Sequence, residues 1–126
     1  MTRKAVADFF PRGFPVKVSD VEVRNGPMIP TYQLMKQLAA THPGNRFYCV
    51  LGSDLLPGLK DWGPGQAMIE ELDYVIVERA GYEHILDPEV EKTFQLPLSM
   101  EVIPASENVI GSISSTLVRS RIKDAR

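Results

Sequence analysis

The sequence predicts an α/β fold built on a parallel sheet, and three observations predict it. Short strand patterns alternate with helical ones along most of the chain, the order expected of strands joined by right-handed crossovers. Phe47–Leu51 and Tyr74–Val77 are continuous apolar runs bounded by polar or turn residues, which read as buried strands of a sheet, the first of them buried on both faces. Polar clusters then follow the strand patterns: Ser19-Asp20, Gly52-Ser53-Asp54, Glu78-Arg79 and Ser112 to Arg119. Open α/β sheets take their ligands beyond the carboxyl ends of the strands, where these clusters fall.

Bulk properties limit the alternatives. A chain of 126 residues suits one domain with a modest core. With 44% hydrophobic and 24% charged residues, the composition is that of an ordinary globular protein. The net charge of −2 implies no strong general attraction to nucleic acid or to an anionic membrane, so neither is an expected partner. The single cysteine, Cys49, excludes an intrachain disulfide and a cysteine-based zinc cage. It fits a reducing compartment, the cytoplasm, with the nucleus as the alternative. No apolar run is long enough to span a bilayer, and the first residues lack the continuous apolar segment of a signal peptide. No repeat or linker divides residues 1–126, which read as a single domain, and no feature of the sequence sets an oligomeric state.

Each element has its own signal. Lys4 to Phe10 reads as the last turns of a helix, stopped by Pro11 and Gly13. Val16-Lys17-Val18 and Val21-Glu22-Val23 alternate as a strand, with a phase slip at Ser19-Asp20 that marks a bulge or strand end. Ser19 and Asp20 are read as turn residues in preference to site residues. A turn at Asn25-Gly26-Pro27 precedes a helix with Thr31 as its N-cap and Leu34, Met35, Leu38 and Ala39 on its apolar face. His42 near its end is a favourable dipole contact, and neither it nor His84 has a partner at metal or triad spacing.

After the strand Phe47–Leu51, Gly52 offers close backbone approach to a ligand. Asp54 either accepts from a sugar hydroxyl or caps the helix that Leu55-Leu56 begins. Trp62, in a Gly/Pro loop, either covers the sheet edge or stacks a flat ring. Gln66 to Leu72 forms a short helix with Met68, Ile69 and Leu72 inward, and Tyr74–Val77 is the next buried strand. Asp87-Pro88 marks a turn or helix start within an acidic, irregular segment. Met100–Ile103 is a further strand, closed by Pro104.

The segment from Gly111 to Ile122 reads as a loop entering a helix. Ser114, Ser115 and Thr116 are N-cap residue types, and Arg119 falls on a polar stripe with Thr116 and Lys123. The positive end of a helix disfavours a cation by roughly 0.3–1 kcal/mol unless an anion is present. Free N–H groups, three hydroxyls and a guanidinium together suit a phosphate. An ordinary capped helix with a solvated arginine is the alternative.

Ile113-Ser114-Ser115-Thr116-Leu117-Val118-Arg119 resembles the I-S-S-T-x-x-R motif of the nucleotidylyltransferase superfamily. Gly52-Ser53-Asp54-Leu55-Leu56 is similar to the G-A-D-L-L motif of the nicotinamide and nicotinic acid mononucleotide adenylyltransferases. Val77-Glu78-Arg79-Ala80-Gly81 resembles their V-x-R-x-G segment, and Val18-Ser19-Asp20-Val21-Glu22 their V-S-D-x-E strand end. Trp62 falls where they keep a pyridine-stacking tryptophan, and Thr31 matches a threonine near the pyridine substituent, although Pro30 replaces the aromatic residue often found before it.

The resemblance implies a Rossmann-like nucleotidylyltransferase fold and adenylyl transfer from ATP to a pyridine mononucleotide, in the biosynthesis of NAD. It places Ser114, Ser115, Thr116 and Arg119 on the triphosphate, with Arg119 as the catalytic residue. Gly52 and Asp54 line the nucleotide crevice, and Trp62, Thr31 and Arg79 serve the mononucleotide. Magnesium is expected as a cofactor carried by the substrate phosphates, with no dedicated metal ligands in the protein.

One departure is large. The family's G-x-F-x-P-x-H-x-G-H unit, whose histidines face the phosphates, has no match here, and Phe9-Phe10-Pro11-Arg12-Gly13 does not replace it. The expectation is a single, partial domain truncated at both ends, with impaired activity. Another adenylyltransferase, such as the phosphopantetheine enzyme, and a non-catalytic nucleotide-binding remnant are the alternatives.

Overall fold

A computed structural model describes residues 2–24, 26, 28–84 and 86–107. Its centre is a parallel sheet of three strands in sequential order: β1 (Tyr48–Gly52), β2 (Asp73–Val77) and β3 (Ser99–Ile103). Gly52 pairs with Val77, and Val77 with Ile103, so the three strands end flush. That register puts the residues following each strand side by side.

The connection from β1 to β2 covers one face of the sheet. It starts as a 3-10 helix, Ser53–Asp61, and continues as α4 (Gly65–Glu71). A 3-10 helix repeats every three residues, and Ser53, Leu56 and Leu59, three apart, are the ones it buries. From α4 come Met68 and Ile69, and Leu72 follows them into the core. They meet Leu51, Tyr74 and Ile76 from the strands and Met35 from α3 (Thr31–Thr41). Each such side chain, fully buried, contributes roughly 1.5–3 kcal/mol. Tyr74 is fully enclosed, and its hydroxyl donates to the Met68 carbonyl at 3.1 Å. Burial pushes that hydroxyl's pKa up to about 12. Gly65, the first residue of α4, is buried against the preceding turn, where an added Cβ would overlap the Lys60 carbonyl oxygen.

At the amino ends of the strands, Arg46 donates two bonds of 2.7 Å to the Asp73 carboxylate. The Ser99 hydroxyl donates to the same carboxylate. Arg46, Asp73 and Ser99 precede or begin β1, β2 and β3, so one carboxylate ties the three strands together. The Arg46 bond first, and then the Ser99 bond, hold Asp73 down to a pKa of about 2.

Several expectations meet their elements. α1 (Thr2–Phe9) ends before Pro11 and Gly13, the latter at φ 90°. The helix Gln66–Leu72 is α4 and the strand Met100–Ile103 is β3. Asp87 caps α5 (Pro88–Glu91), accepting from the Glu89 N–H at 3.0 Å.

Others need correction. Val16 to Val23 forms no strand: Val21–Arg24 is a helical turn, α2. The Ser19 hydroxyl accepts from the Val21 N–H, and Asp20 pairs with Arg24 at 2.9 Å, four residues on. A local polar side chain and an i,i+4 ion pair close that turn and override the alternating valines. Phe47–Leu51 is not buried on both faces. β1 is an edge strand among the described residues, and Val50 is 66% exposed. Thr31 is the first helical residue of α3, with Pro30 in the cap position and no side-chain cap bond. Proline's fixed extended geometry fills the cap without a hydroxyl. Asp54 likewise caps nothing: Gly52 holds the cap position of the 3-10 helix, and Asp54 lies inside its first turn.

Candidate active site

Because the strands end flush, the residues after β1 and β2 are brought together by the sheet itself. Ser53, 1% exposed, accepts a hydrogen bond from the Arg79 backbone N–H at 2.9 Å. Next to it, the Arg79 guanidinium donates to Asp54 Oδ2 at 3.2 Å. Both side chains are about a quarter exposed, at 27% and 28%, so this pair is partly open to solvent and not inside the core.

Gly52 has a different use from the one its sequence position implies. A Cβ there would overlap the Asp54 carboxylate and lie 2.8 Å from Arg79 Cδ. The space freed by glycine is taken by the chain's own ion pair. The second carboxylate oxygen, Asp54 Oδ1, is buried and has no hydrogen-bond partner among the described residues. An unsatisfied buried acceptor costs roughly 1–3 kcal/mol.

Glu78 follows β2 directly and is 8% exposed. Its carboxylate accepts from the His84 N–H at 2.9 Å and from the Ala105 N–H at 3.0 Å. The loops after β2 and β3 are thereby joined. Beside them lies a cavity of about 550 Å³, with Leu86, Pro88, Val102 and Pro104 as apolar walls and Glu78, His84 and Asp87 as polar ones. Its size is within the usual range for a small-molecule site. The sequence puts Glu78 in a polar cluster and assigns it no role. The signal available was a carboxylate one residue past a buried strand, where no solvent-facing position is expected.

The structure thus brings Gly52, Asp54 and Arg79 into one cluster. Trp62 ends the 3-10 helix that carries Asp54, its backbone N–H bonded to the Leu59 carbonyl at 3.2 Å. It is half-buried and packs against the hydrophobic core. Thr31 is half-buried at the start of α3. Ser114, Ser115, Thr116 and Arg119 lie outside the described residues. Among the described residues, no group of three or more histidine, cysteine or carboxylate side chains is placed to hold a metal ion. No described helix is long and apolar enough to cross a membrane.

A parallel α/β sheet with its polar residues gathered beyond the carboxyl ends of the strands is a Rossmann-like arrangement. No protein-family model matches the chain. It is 29% identical over 125 residues to a protein of Clostridium novyi described as a probable nicotinate-nucleotide adenylyltransferase, covering 96% of this chain and 60% of that one. A Bacillus cytotoxicus protein of the same description is 32% identical over 103 residues, covering 82% of this chain and 47% of that one. Among solved structures, the nicotinic acid mononucleotide adenylyltransferase of Plasmodium falciparum complexed with APC superposes with a TM-score of 0.73 at 26% identity. That match covers 94% of this chain and 57% of the other, and the same enzyme complexed with NaAD matches equally well. The chain is therefore a homologue of the nicotinate-nucleotide adenylyltransferases over nearly its whole length. It spans about half the length of the curated relatives it matches, from 45% to 60%.

Proposed function

We propose that this chain carries part of an adenylyltransferase site that joins ATP to nicotinic acid mononucleotide. The observation that carries the reading is the cluster at the flush strand ends. Gly52, Asp54 and Arg79 meet there with an orphaned carboxylate oxygen, in a chain homologous to nicotinate-nucleotide adenylyltransferases. The nicotinate form of the substrate is favoured over the nicotinamide form by the names of the relatives. The bacterial origin of the curated relatives cited favours the cytoplasm, and nothing favours the nucleus.

In this reading an oxygen of the mononucleotide 5′-phosphate bonds to the α-phosphorus of ATP. The bond from that phosphorus to the bridging oxygen of the β-phosphate breaks, and pyrophosphate leaves. The nucleophile is already an anion, so no general base is required. Catalysis is positioning and charge stabilisation. Ser114, Ser115 and Thr116 hold the triphosphate, and Arg119 meets the charge of the leaving pyrophosphate. Asp54 accepts from a ribose hydroxyl, Arg79 and Thr31 contact the mononucleotide, and Trp62 stacks its pyridine. Magnesium, carried by the ATP phosphates and not by dedicated protein ligands, would supply charge neutralisation there.

The chain has one tryptophan, which makes the test direct. Adding nicotinic acid mononucleotide should quench Trp62 fluorescence, and ATP should bind with Arg119→Ala weakening it at unchanged melting temperature. Turnover by the 126-residue chain should be slow or absent, since the sequence has no match to the histidine motif opposite Arg119. A folded chain that binds neither nucleotide by calorimetry would sink the proposal.

A further inference from the structure

The established likeness gives no role to Glu78, yet this carboxylate is the point where the crevice walls are joined. Its backbone N–H extends the β2–β3 ladder by one bond, to the Ile103 carbonyl at 2.9 Å. One carboxylate oxygen takes the His84 N–H and the other the Ala105 N–H. His84 is held at φ 61°, in the left-handed region that a residue with a Cβ rarely adopts. Such a conformation persists where its surroundings over-determine it, and the bond to Glu78 is one such constraint. Ala105 opens the 3-10 turn Ala105–Glu107, after which the sequence runs on to the Ser114–Arg119 motif. The neighbouring residue Arg79 is tied to β1 through Ser53 and Asp54. Two adjacent residues at the end of β2 therefore connect the ends of all three strands.

The chemistry of the side chain fits this task. Two backbone N–H groups converge on it from different loops, and an ionised carboxylate presents acceptors only. Charge-assisted bonds of this kind are about twice as strong as neutral ones. Glutamine offers one acceptor oxygen and turns an NH₂ toward the second N–H, which breaks one of the two bonds.

We infer that Glu78 is a positioning residue for the adenylyl-transfer reading above: its carboxylate fixes the take-off of the chain after β3 relative to the loop after β2. It touches neither reacting atom in this role. The inference rests on the proposed function and predicts a sign that charge alone would reverse. A negative group near a polyphosphate repels it, so removing the charge without changing the shape should tighten ATP binding. A lost clamp should weaken it.

The test uses the whole chain, wild type and Glu78→Gln, with three readings: ATP affinity by calorimetry, melting temperature, and amide hydrogen exchange at His84 and Ala105. The expected result is faster exchange at one or both amides and ATP binding weaker by on the order of tenfold in the folded protein. Ala105→Pro is a second variant. It deletes one of the two N–H donors while placing proline at the start of a helical turn, which tolerates it. It should weaken ATP in the same direction, and it decides the matter if Glu78→Gln does not fold. Equal or tighter ATP binding by a folded variant overturns the clamp and leaves the functional reading standing. Failure of the wild type to bind ATP overturns the functional reading, and the positioning role with it.

Discussion

The two ends of the sheet are built from similar residues and in different ways. At the amino end, Arg46, Asp73 and Ser99 satisfy one another side chain to side chain. At the carboxyl end, Ser53 and Glu78 reach backbone N–H groups of the loops after β2 and β3, while Asp54 keeps one oxygen unsatisfied among the described residues. The first arrangement is closed: its carboxylate is engaged by two partners and it only fastens strands. The second spends its polar groups on shaping loops and leaves an acceptor over. An arginine–carboxylate pair is present at both ends, so the pair alone does not mark a site. What distinguishes the ends is where the remaining hydrogen-bonding capacity points.

The largest expected effect comes from removing the difference altogether. The 3-10 helix and α4 together cover one face of the sheet, and Gly65 is where these two meet. Gly65→Ala drives a methyl group into the Lys60 carbonyl, a backbone atom that no rotamer change can move aside. The expected loss is about 3 kcal/mol, the upper range for overpacking. It should be read as a lower midpoint in urea, with ligand affinity and acid stability falling together. A stability within experimental error of wild type would mean that α4 is not seated as described.

A smaller and more selective effect is expected at Gly52. There the added methyl meets the Asp54 carboxylate and the Arg79 Cδ methylene, atoms of flexible side chains and not of the backbone. Gly52→Ala should therefore lower stability by only about 1 kcal/mol while displacing the ion pair from the crevice. Nucleotide affinity should change well beyond that, and the amino end should be untouched. If affinity and stability fall in proportion, the crevice is ordinary packing and the contrast between the ends is lost.

These two glycines show how far the sequence could be read. The strands β2 and β3 are legible as a continuous apolar run bounded by polar residues and as a short run closed by Pro104. The position of the polar clusters at the strand ends was legible too, since topology fixes it. The use of Gly52 was not: glycine reads as room, and only the fold decides whether a ligand or Asp54 and Arg79 take that room. Val16–Val23 misled because alternation is a weak signal beside Asp20 and Arg24, four residues apart. Phe47–Leu51 misled because an apolar run does not reveal whether its strand is central or at the edge, and Val50 is exposed. Glu78 was placed in a cluster without a role because its partners, the His84 and Ala105 amides, are six and 27 residues away. Backbone donors leave no mark in a side-chain pattern.

The smallest effect, and the sharpest on the contrast, is expected at the amino end and depends on pH. Asp73 is held down from 3.8 to about 2, first by Arg46 and then by Ser99. A carboxylate whose pKa is lower in the folded protein than in the unfolded one adds stability at every pH above the unfolded value. That contribution is lost as pH falls from about 3.8 through about 2. The pair is largely open to solvent, with Arg46 64% exposed, so salt screens it and its effect should be smaller than that of Gly52→Ala. Ser99→Ala removes the second cause and keeps the first, so the acid limb of the stability curve should move part of the way toward pH 3.8. Asp73→Asn should remove the share of that limb that Asp73 contributes between about pH 4 and pH 2, because that side chain no longer binds a proton. Urea midpoints measured across this range at two salt concentrations read both changes. Nucleotide affinity at neutral pH should be the same for wild type and both variants, since the amino end only fastens the strands. A variant that kept the full acid limb would show that Asp73 is not bound as described. One that also lost nucleotide binding would show that the two ends of the sheet do not act independently.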